Sequence, residues 1–372
     1  MKQIAMGQWP AMSIASAMGE WEALRARRDA GEDLAGERRA ERIQARGPVY
    51  LVGELMDDYM TEHVRRARKE KGVREVESLF RRVPAVLRRM PAADVTRTVA
   101  FDMIQSVSEY PVQAKYLRSE MGAAWDHALD AGRLPDTCPN WWRLILRGKL
   151  KSKGKSMGGV KAGQTKRHLS GAEVGALIRW LPNFSQTVDD ALTLYLWTGA
   201  RGAEIVGIEG RDVVLEQDGW WWVCPKAKTK NARHDDAHDL RVPLVGRALA
   251  IIMRRREIHG GGWLFPRSRG HVGHIEQKTV QEAVYYRQPY STVMASKDRV
   301  RLTVTHWSPH DLRRTVRTHL ASLGCPDAIA EAILGHMQEG IKGVYNLHKY
   351  DREKREWLVR LDAHLEGLAS AL

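Results

Sequence analysis

Apolar positions recur every three to four residues along most of this chain, the spacing of helices that bury one face. Ser170-Gly171-Ala172-Glu173 has the form of a capping box, and Val174, Leu177, Ile178 and Leu181 follow it at helical intervals. A second apolar helix is predicted from Asp189 to Trp197, stopped by Gly199. Only then does the pattern change: GWWWVC (219–224) and LRVPL (240–244) read as two short strands of a hairpin. Helical spacing returns at 246–257, 276–286, 310–323 and 327–334, and in a last segment from about 351 to 369.

The N-terminal part is helical throughout. Ser13 is placed to cap a helix running through Ala17, Trp21, Leu24 and Arg28 to about Gly31, after which GERRAERIQARG leads out to solvent. From Pro48 to Trp142, Leu51, Leu55 and Tyr59 repeat at helical spacing, as do Val76, Leu79, Val83 and Leu87, with Pro84 breaking the second run. The expected architecture is mainly α with a small β-hairpin or sheet. Four regions are expected: a helix-rich fragment at 1–46, a helical domain at 47–146, a basic linker at 147–168, and a mixed α+β domain with a C-terminal helix at 169–372.

The linker marks the clearest boundary. It holds eight Lys or Arg residues, several glycines and no acidic residue, so it cannot pack a core and is expected to be flexible. Two readings stand: a solvated spacer, or a spacer that also tracks along phosphates through Lys149, Lys151, Lys153, Lys155, Lys161, Lys166 and Arg167. Composition favours the second. Lys+Arg is 59 against Asp+Glu 45, a net charge of +14, which puts a polyanion, nucleic acid before membrane, first among partners. Three scattered cysteines, Cys138, Cys224 and Cys325, form neither a disulfide framework nor a zinc cluster, and they suit a reducing compartment. No apolar run approaches the ~20 residues of a membrane span, and the first twenty residues make a poor signal peptide.

Four segments of the last domain carry the chemistry. In Thr198-Gly199-Ala200-Arg201-Gly202-Ala203-Glu204, Arg201 stands at a helix N-terminus, suited either to a phosphate or to a surface pair with Glu204. In Pro309-His310-Asp311-Leu312-Arg313-Arg314, His310 and Arg313 share one face, beside a buried stripe of Leu312, Val316 and Leu320. Singly they read as a capping histidine and a surface arginine. Leu334-Gly335-His336 presents a histidine just past a helix end, and Val344-Tyr345-Asn346 places a tyrosine nine residues further on. Taken together, two arginines, two histidines and a tyrosine are the parts for phosphoryl transfer to a tyrosine nucleophile. A phenol is only ~0.1% ionised at neutral pH, so it needs neighbouring cations and a base. Paired guanidiniums can hold the phosphate oxygens bidentately without a metal.

These segments resemble the phage-type integrases of the tyrosine recombinase family. The resemblance rests on TGARGAE at Arg201, HDLRRTVRTHL at His310 and Arg313, LGH at His336 and VYN at Tyr345, with intervals of 23 and nine residues between the last three. WLFP (263–266) is a further landmark, and the similarity extends over roughly 47–372. It implies that the helical region is a core-binding domain and the last region a tyrosine recombinase catalytic domain. Tyr345 would attack the scissile phosphate, with Arg201 and Arg313 clamping it, His310 accepting a proton and His336 bonding the phosphate. A hairpin lysine would protonate the leaving 5′-oxygen: Lys228 in AKTK fits best, with Lys230 and Lys226 behind it. Tyr350 is the fallback nucleophile.

The implied enzyme cuts and rejoins DNA through a 3′-phosphotyrosine intermediate, integrating or excising a mobile element, with no cofactor, metal or ATP. Its implied partners are double-stranded DNA attachment sites and three further copies in a tetramer on synapsed DNA, alongside a DNA-bending accessory protein or directionality factor. Its expected location is the cytoplasm, at the nucleoid. The C-terminal helix, with Trp357, Leu361, Leu365 and Leu368, is expected to dock on a neighbouring protomer rather than on its own domain. Residues 1–46 resemble only the distal half of an arm-site-binding domain, a partial remnant. Competing readings are a relaxing topoisomerase with the same chemistry, a DNA-binding regulator without strand transfer, and a truncated inactive integrase. His234, Asp235, Asp236, His238 and Asp239 could suggest a metal site, but a solvated hairpin loop is the simpler account.

Overall fold

The computed structural model describes residues 12–31, 49–157, 159–162, 167–234, 238–267, 272–293, 298–337 and 348–371. It divides into two units, Met1–Lys153 and Gly154–Leu372, each with its own core. The division falls inside the basic stretch.

The first unit is helical. Helix α1 (Ile14–Asp29) starts at Ser13, whose hydroxyl accepts the Ser16 N–H at 3.2 Å, and buries none of its residues. Helix α2 (Val52–Asp58) runs on through a π-helical turn, Tyr59–Val64, and is followed by α3 (Glu70–Phe80), α4 (Arg97–Ser106) and α5 (Pro111–Asp130). Pro84 ends the second apolar run and stands before a separate turn of helix, Ala85–Arg88, because its ring and missing N–H cannot continue α3. Val83 and Leu87 still reach the core, beside Leu55, Met56, Ile104, Leu117, Met121, Trp125 and Trp142. Full burial of each such side chain contributes about 1.5–3 kcal/mol.

The second unit opens with a small antiparallel hairpin, β1 (Lys155–Met157) and β2 (Val160–Ala162), within the stretch expected to be a flexible linker. Gly159 turns it at φ 78°. The helices α6 (Gly171–Trp180), α7 (Gln186–Thr198) and α8 (Gly202–Val206) follow. Ser170 accepts the Glu173 N–H at 3.3 Å and Glu173 accepts the Ser170 N–H at 2.9 Å, closing the predicted box.

The hairpin is one strand larger than its pattern suggested. Strand β3 (Val213–Glu216) pairs with β4 (Gly219–Cys224), which pairs with β5 (Leu240–Pro243), an antiparallel meander in chain order. Helices α9 (Gly246–His259), α10 (Gln277–Arg287), α11 (Pro309–Ser322), α12 (Asp327–Ile333) and α13 (Asp351–Ser370) complete the unit. Helix α7 is central: nearly every residue from Val188 to Thr198 is buried, and α11, α9 and α13 all pack on it.

Helix α13 corrects an expectation. Leu361 and Leu365 of the expected stripe are buried within its own unit, against α6 and α7, with Leu358 beside them, and Trp357 and Leu368 pack partly buried on the same core. Polar bonds fix that position: the Trp197 indole N–H donates to Asp362 at 2.6 Å, and His319 meets His364 at 2.9 Å. At its N-terminal end, Arg355 and Arg241 both lie over the Trp221 ring, each 4.6 Å from its centre.

Candidate active site

Three chain reversals meet in the second unit. At the first, Gly199 caps α7 in the left-handed region at φ 64°, where a Cβ would lie 2.8 Å from Leu334 and 3.1 Å from Val316. Only glycine fits so tight a turn. The chain re-enters helix at Arg201, the N-cap of α8. The Glu204 carboxylate accepts both the Arg201 backbone N–H, at 2.9 Å, and its guanidinium Nη1–H, also at 2.9 Å. Arg201 and Glu204 thus do form the expected i,i+3 pair. It is not a surface pair, since Glu204 is buried.

The second reversal opens α11. Ser308 is the N-cap, Pro309 occupies the first turn, and Asp311 accepts the Ser308 N–H at 2.9 Å. Leu312, Val316 and Leu320 are buried as their spacing required. Arg313 is buried too, at 4% exposure, rather than lying on the surface. Its Nη1 donates to the Gly199 carbonyl at 2.7 Å and its Nη2 to the Leu334 carbonyl at 2.5 Å. Both carbonyls lie at helix C-termini, where unpaired oxygens concentrate partial negative charge. Burial, then the nearby Arg201 charge, pulls the Arg313 pKa down to about 10, so it stays a cation at neutral pH. His310 is exposed one turn earlier. Desolvation of its ring and the positive charges of Arg314, Arg313 and Arg201 hold its pKa below the ordinary histidine value.

The third reversal ends α12. Gly335, at φ 61°, donates to the Ala332 carbonyl at 3.0 Å, and His336 N–H donates to the Glu331 carbonyl at 3.0 Å. This pair of bonds is a Schellman motif. Arg201 Nη2 donates to the Gly335 carbonyl at 3.4 Å, and so does the Asn231 side-chain amide at 3.1 Å. His336 Nδ1 pairs with the Glu331 carboxylate. The turns at Gly199 and Gly335, with the start of α11, therefore bring Arg201, His310, Arg313 and His336 into one cluster.

Lys228 is held by two carboxylates. It ends a short 3₁₀ turn, Lys226–Lys228, after β4, and its ammonium bonds Asp212 at 2.5 Å and Glu209 at 2.7 Å, 5.1 Å above the Trp263 ring. Burial pulls its pKa down, but the hydrogen bonds it donates to Asp212 and Glu209 outweigh this and leave it above the ordinary lysine value. Tyr345 and Lys166 lie outside the described residues, as do Asp235 and Asp236; Tyr350 is described and stands at the start of α13. Lys149, Lys151 and Lys153 are exposed, and Lys155 and Lys161 have backbone places in the β1–β2 hairpin. Arg167 bonds Glu173 at 2.5 Å, joining the cap of α6. Among the described residues, no group of three or more His, Cys, Asp or Glu is arranged to hold a metal ion, and no helix is long and apolar enough to cross a membrane.

The pattern of the phage integrase family matches residues 167–352, half of the chain. The chain belongs to that family. Its members are tyrosine recombinases, enzymes that transfer DNA strands at specific sites, and this chain is one of them. The matched stretch contains the whole cluster and also Tyr345 and Tyr350. The fold agrees with solved integrases. A lambda integrase dimer bound to a COC′ core site is 18% identical, covering 78% of this chain and 96% of that one, at a TM-score of 0.55. A lambda integrase tetramer bound to a Holliday junction is 17% identical over 91% of each chain, at 0.57. The Tn1549 transposon integrase with transposon right-end DNA is 16% identical over 84% of this chain and 99% of that one, at 0.54. Comparison with curated proteins gave no match.

The motifs pointed to the clustered arginines and histidines but not to the residues that hold them. Glu331, Asn231, Glu209 and Asp212 went unnoticed. For Glu331 a signal existed: in a Schellman turn the third residue from the helix end lies beside the second residue past it, which puts a glutamate five positions before His336 within reach of it.

Proposed function

We propose that this recombinase cleaves double-stranded DNA attachment sites with Tyr345 as nucleophile. The phenol oxygen bonds to phosphorus, the bond from phosphorus to the 5′-oxygen breaks, and the enzyme is left joined to a 3′ end. The phenol proton passes to His310, neutral at physiological pH, and the departing 5′-oxygen takes a proton from Lys228. Arg201 and Arg313 neutralise the phosphate oxygens while His336 bonds one of them. For Lys228 to reach the leaving group it must leave Asp212 and Glu209, so DNA has to supply the better site. A 5′-hydroxyl from a partner strand reverses the step without ATP, since the phosphotyrosine keeps the energy of the cleaved bond. Exchange between two sites calls for a tetramer on synapsed DNA, acting in the cytoplasm at the nucleoid, and Lys149, Lys151, Lys153, Lys155, Lys161 and Lys166 would follow the backbone.

One observation supports this most strongly. Arg313 is a buried cation whose hydrogen-bond partners are carbonyls, beside a second guanidinium, so the cluster favours an anion. The test is an SDS-resistant adduct on nicked suicide duplexes taken from DNA flanking the gene, without added metal. Wild type should form it and Tyr345→Phe should not. An adduct in both moves the nucleophile, with Tyr350 first in line. Salt-sensitive binding with no adduct in either identifies a regulator or an inactive enzyme.

A further inference from the structure

We infer that Glu331 is the positioning residue of His336, fixing the imidazole with its proton on Nδ1 so that Nε2 is the atom offered to the substrate phosphate. This rests on the proposed role of His336 in bonding that phosphate. The backbone of the α12 turn is already set: Gly335 and His336 N–H groups bond back to Ala332 and Glu331. The carbonyls of Leu334 and Gly335 anchor Arg313 and Arg201. The freedom left to His336 is in its side chain, and Glu331 removes it.

The carboxylate is divided between two partners. Oε1 accepts Arg317 Nε–H at 2.8 Å, and Oε2 meets His336 Nδ1. Arg317 is braced in turn by Asp327 at 2.6 Å. Burial works against ionisation of Glu331, but the bonds from Arg317 and His336 outweigh it and hold its pKa below the usual carboxylate range. Ionised, Glu331 can only accept, so the shared proton belongs to Nδ1. His336 then meets the substrate through Nε2: as donor when both nitrogens are protonated, as acceptor when Nδ1 alone is. Only the doubly protonated ring donates to a phosphate oxygen, so the bound phosphate draws the second proton onto Nε2 while the Nδ1–H bond to Glu331 stays in place; without Glu331 the ring is free to turn or change tautomer.

The experiment combines a double-mutant cycle with nitrogen-15 spectroscopy of the histidines. Single-turnover adduct formation on the suicide duplex is measured for wild type, Glu331→Ala, His336→Ala, the double variant and Glu331→Gln, with non-covalent duplex affinity measured alongside. Glu331→Ala should slow adduct formation about 10- to 100-fold with affinity within about two-fold, the range seen when an orienting partner is lost. Glu331→Gln, which still accepts from Nδ1, should recover most of the rate. In the His336→Ala background, removing Glu331 should cost nothing more. In the spectrum, wild-type His336 should show one Nδ1–H form and Glu331→Ala a mixture. Equal losses in both backgrounds would make Glu331 merely structural and overturn the inference, as would an unchanged His336 spectrum. Should wild type form no adduct, the parent proposal fails, and the spectra of the free protein still decide whether Glu331 sets the tautomer.

Discussion

Arg313 shows how a residue outside its usual environment defines a site. Its guanidinium is buried, and two helix-end carbonyls solvate it without cancelling its charge. Arg201 is closer to neutral as a unit, because buried Glu204 takes one of its nitrogens and its backbone N–H. The two arginines are therefore unequal: Arg313 supplies uncompensated charge and Arg201 a placed donor. His310 feels both. A proton acceptor works only when neutral, and desolvation together with Arg314, Arg313 and Arg201 disfavours its cation, so its folded pKa lies below the ordinary 6.5. The sign follows: at neutral pH His310 is free to accept, and lowering the pH takes that capacity away. The second-order rate of adduct formation, which reports the free enzyme, should be flat above pH ~7 and fall in acid with a midpoint below that of an unperturbed histidine. The same depression makes His310 contribute stability that is lost as pH falls, so thermal melts over the same range are needed to separate the two effects. A midpoint at or above the unperturbed value would remove His310 from the role of acceptor.

Among the elements, the α12 turn does the most with the fewest residues, because its two terminal carbonyls anchor both arginines and its next residue is His336. Gly335→Ala tests this. An alanine there must hold φ near +61°, and its Cβ would sit 2.7 Å from the Leu240 methyl on β5. The conformational cost alone is about 1 kcal/mol, a fall of roughly 2–4 °C in Tm for a unit of this size. Adduct formation should fall further than that stability loss implies, by about ten-fold or more, because the carbonyls move with the turn. An alanine variant with lowered Tm and unchanged rate would show that the turn does not position the arginines. Helix ends of this kind were legible from sequence: the Ser170 box, the Gly199 and Gly335 stops and the Pro84 break are local effects of one or two side chains. Strand β3 was not, since four residues with a single buried position carry little pattern, and its pairing is decided by β4. Nor was the inward place of Arg313, which depends on two turns far away in sequence. The apolar stripe of α13 was visible, but a stripe says only that something covers it, and here α6 and α7 do.

On the scale of the whole molecule, the charge is unevenly used. Many arginines of the second unit are committed internally, as Arg255 is to Asp190, Arg241 to Glu216 and Asp351, and Arg167 to Glu173. The net surplus of +14 must therefore be sought where cations have no such duty, and Lys149 and Lys151 are exposed in the stretch where the two units divide. Lysines that neutralise the phosphates of a bound polyanion release its condensed counterions, and the salt dependence of binding counts them. Each lysine that neutralises a phosphate adds about 0.9 to the slope of log K against log salt. Replacing Lys149 and Lys151 by alanine should reduce that slope by about 1.8, weaken duplex binding similarly on any sequence, and leave the adduct rate at saturating DNA unchanged. Fluorescence anisotropy on a labelled duplex from about 50 to 200 mM salt measures the slope directly. A slope equal to that of wild type would make the stretch a spacer and nothing more, and the phosphate contacts would then have to come from the folded surfaces on either side of it.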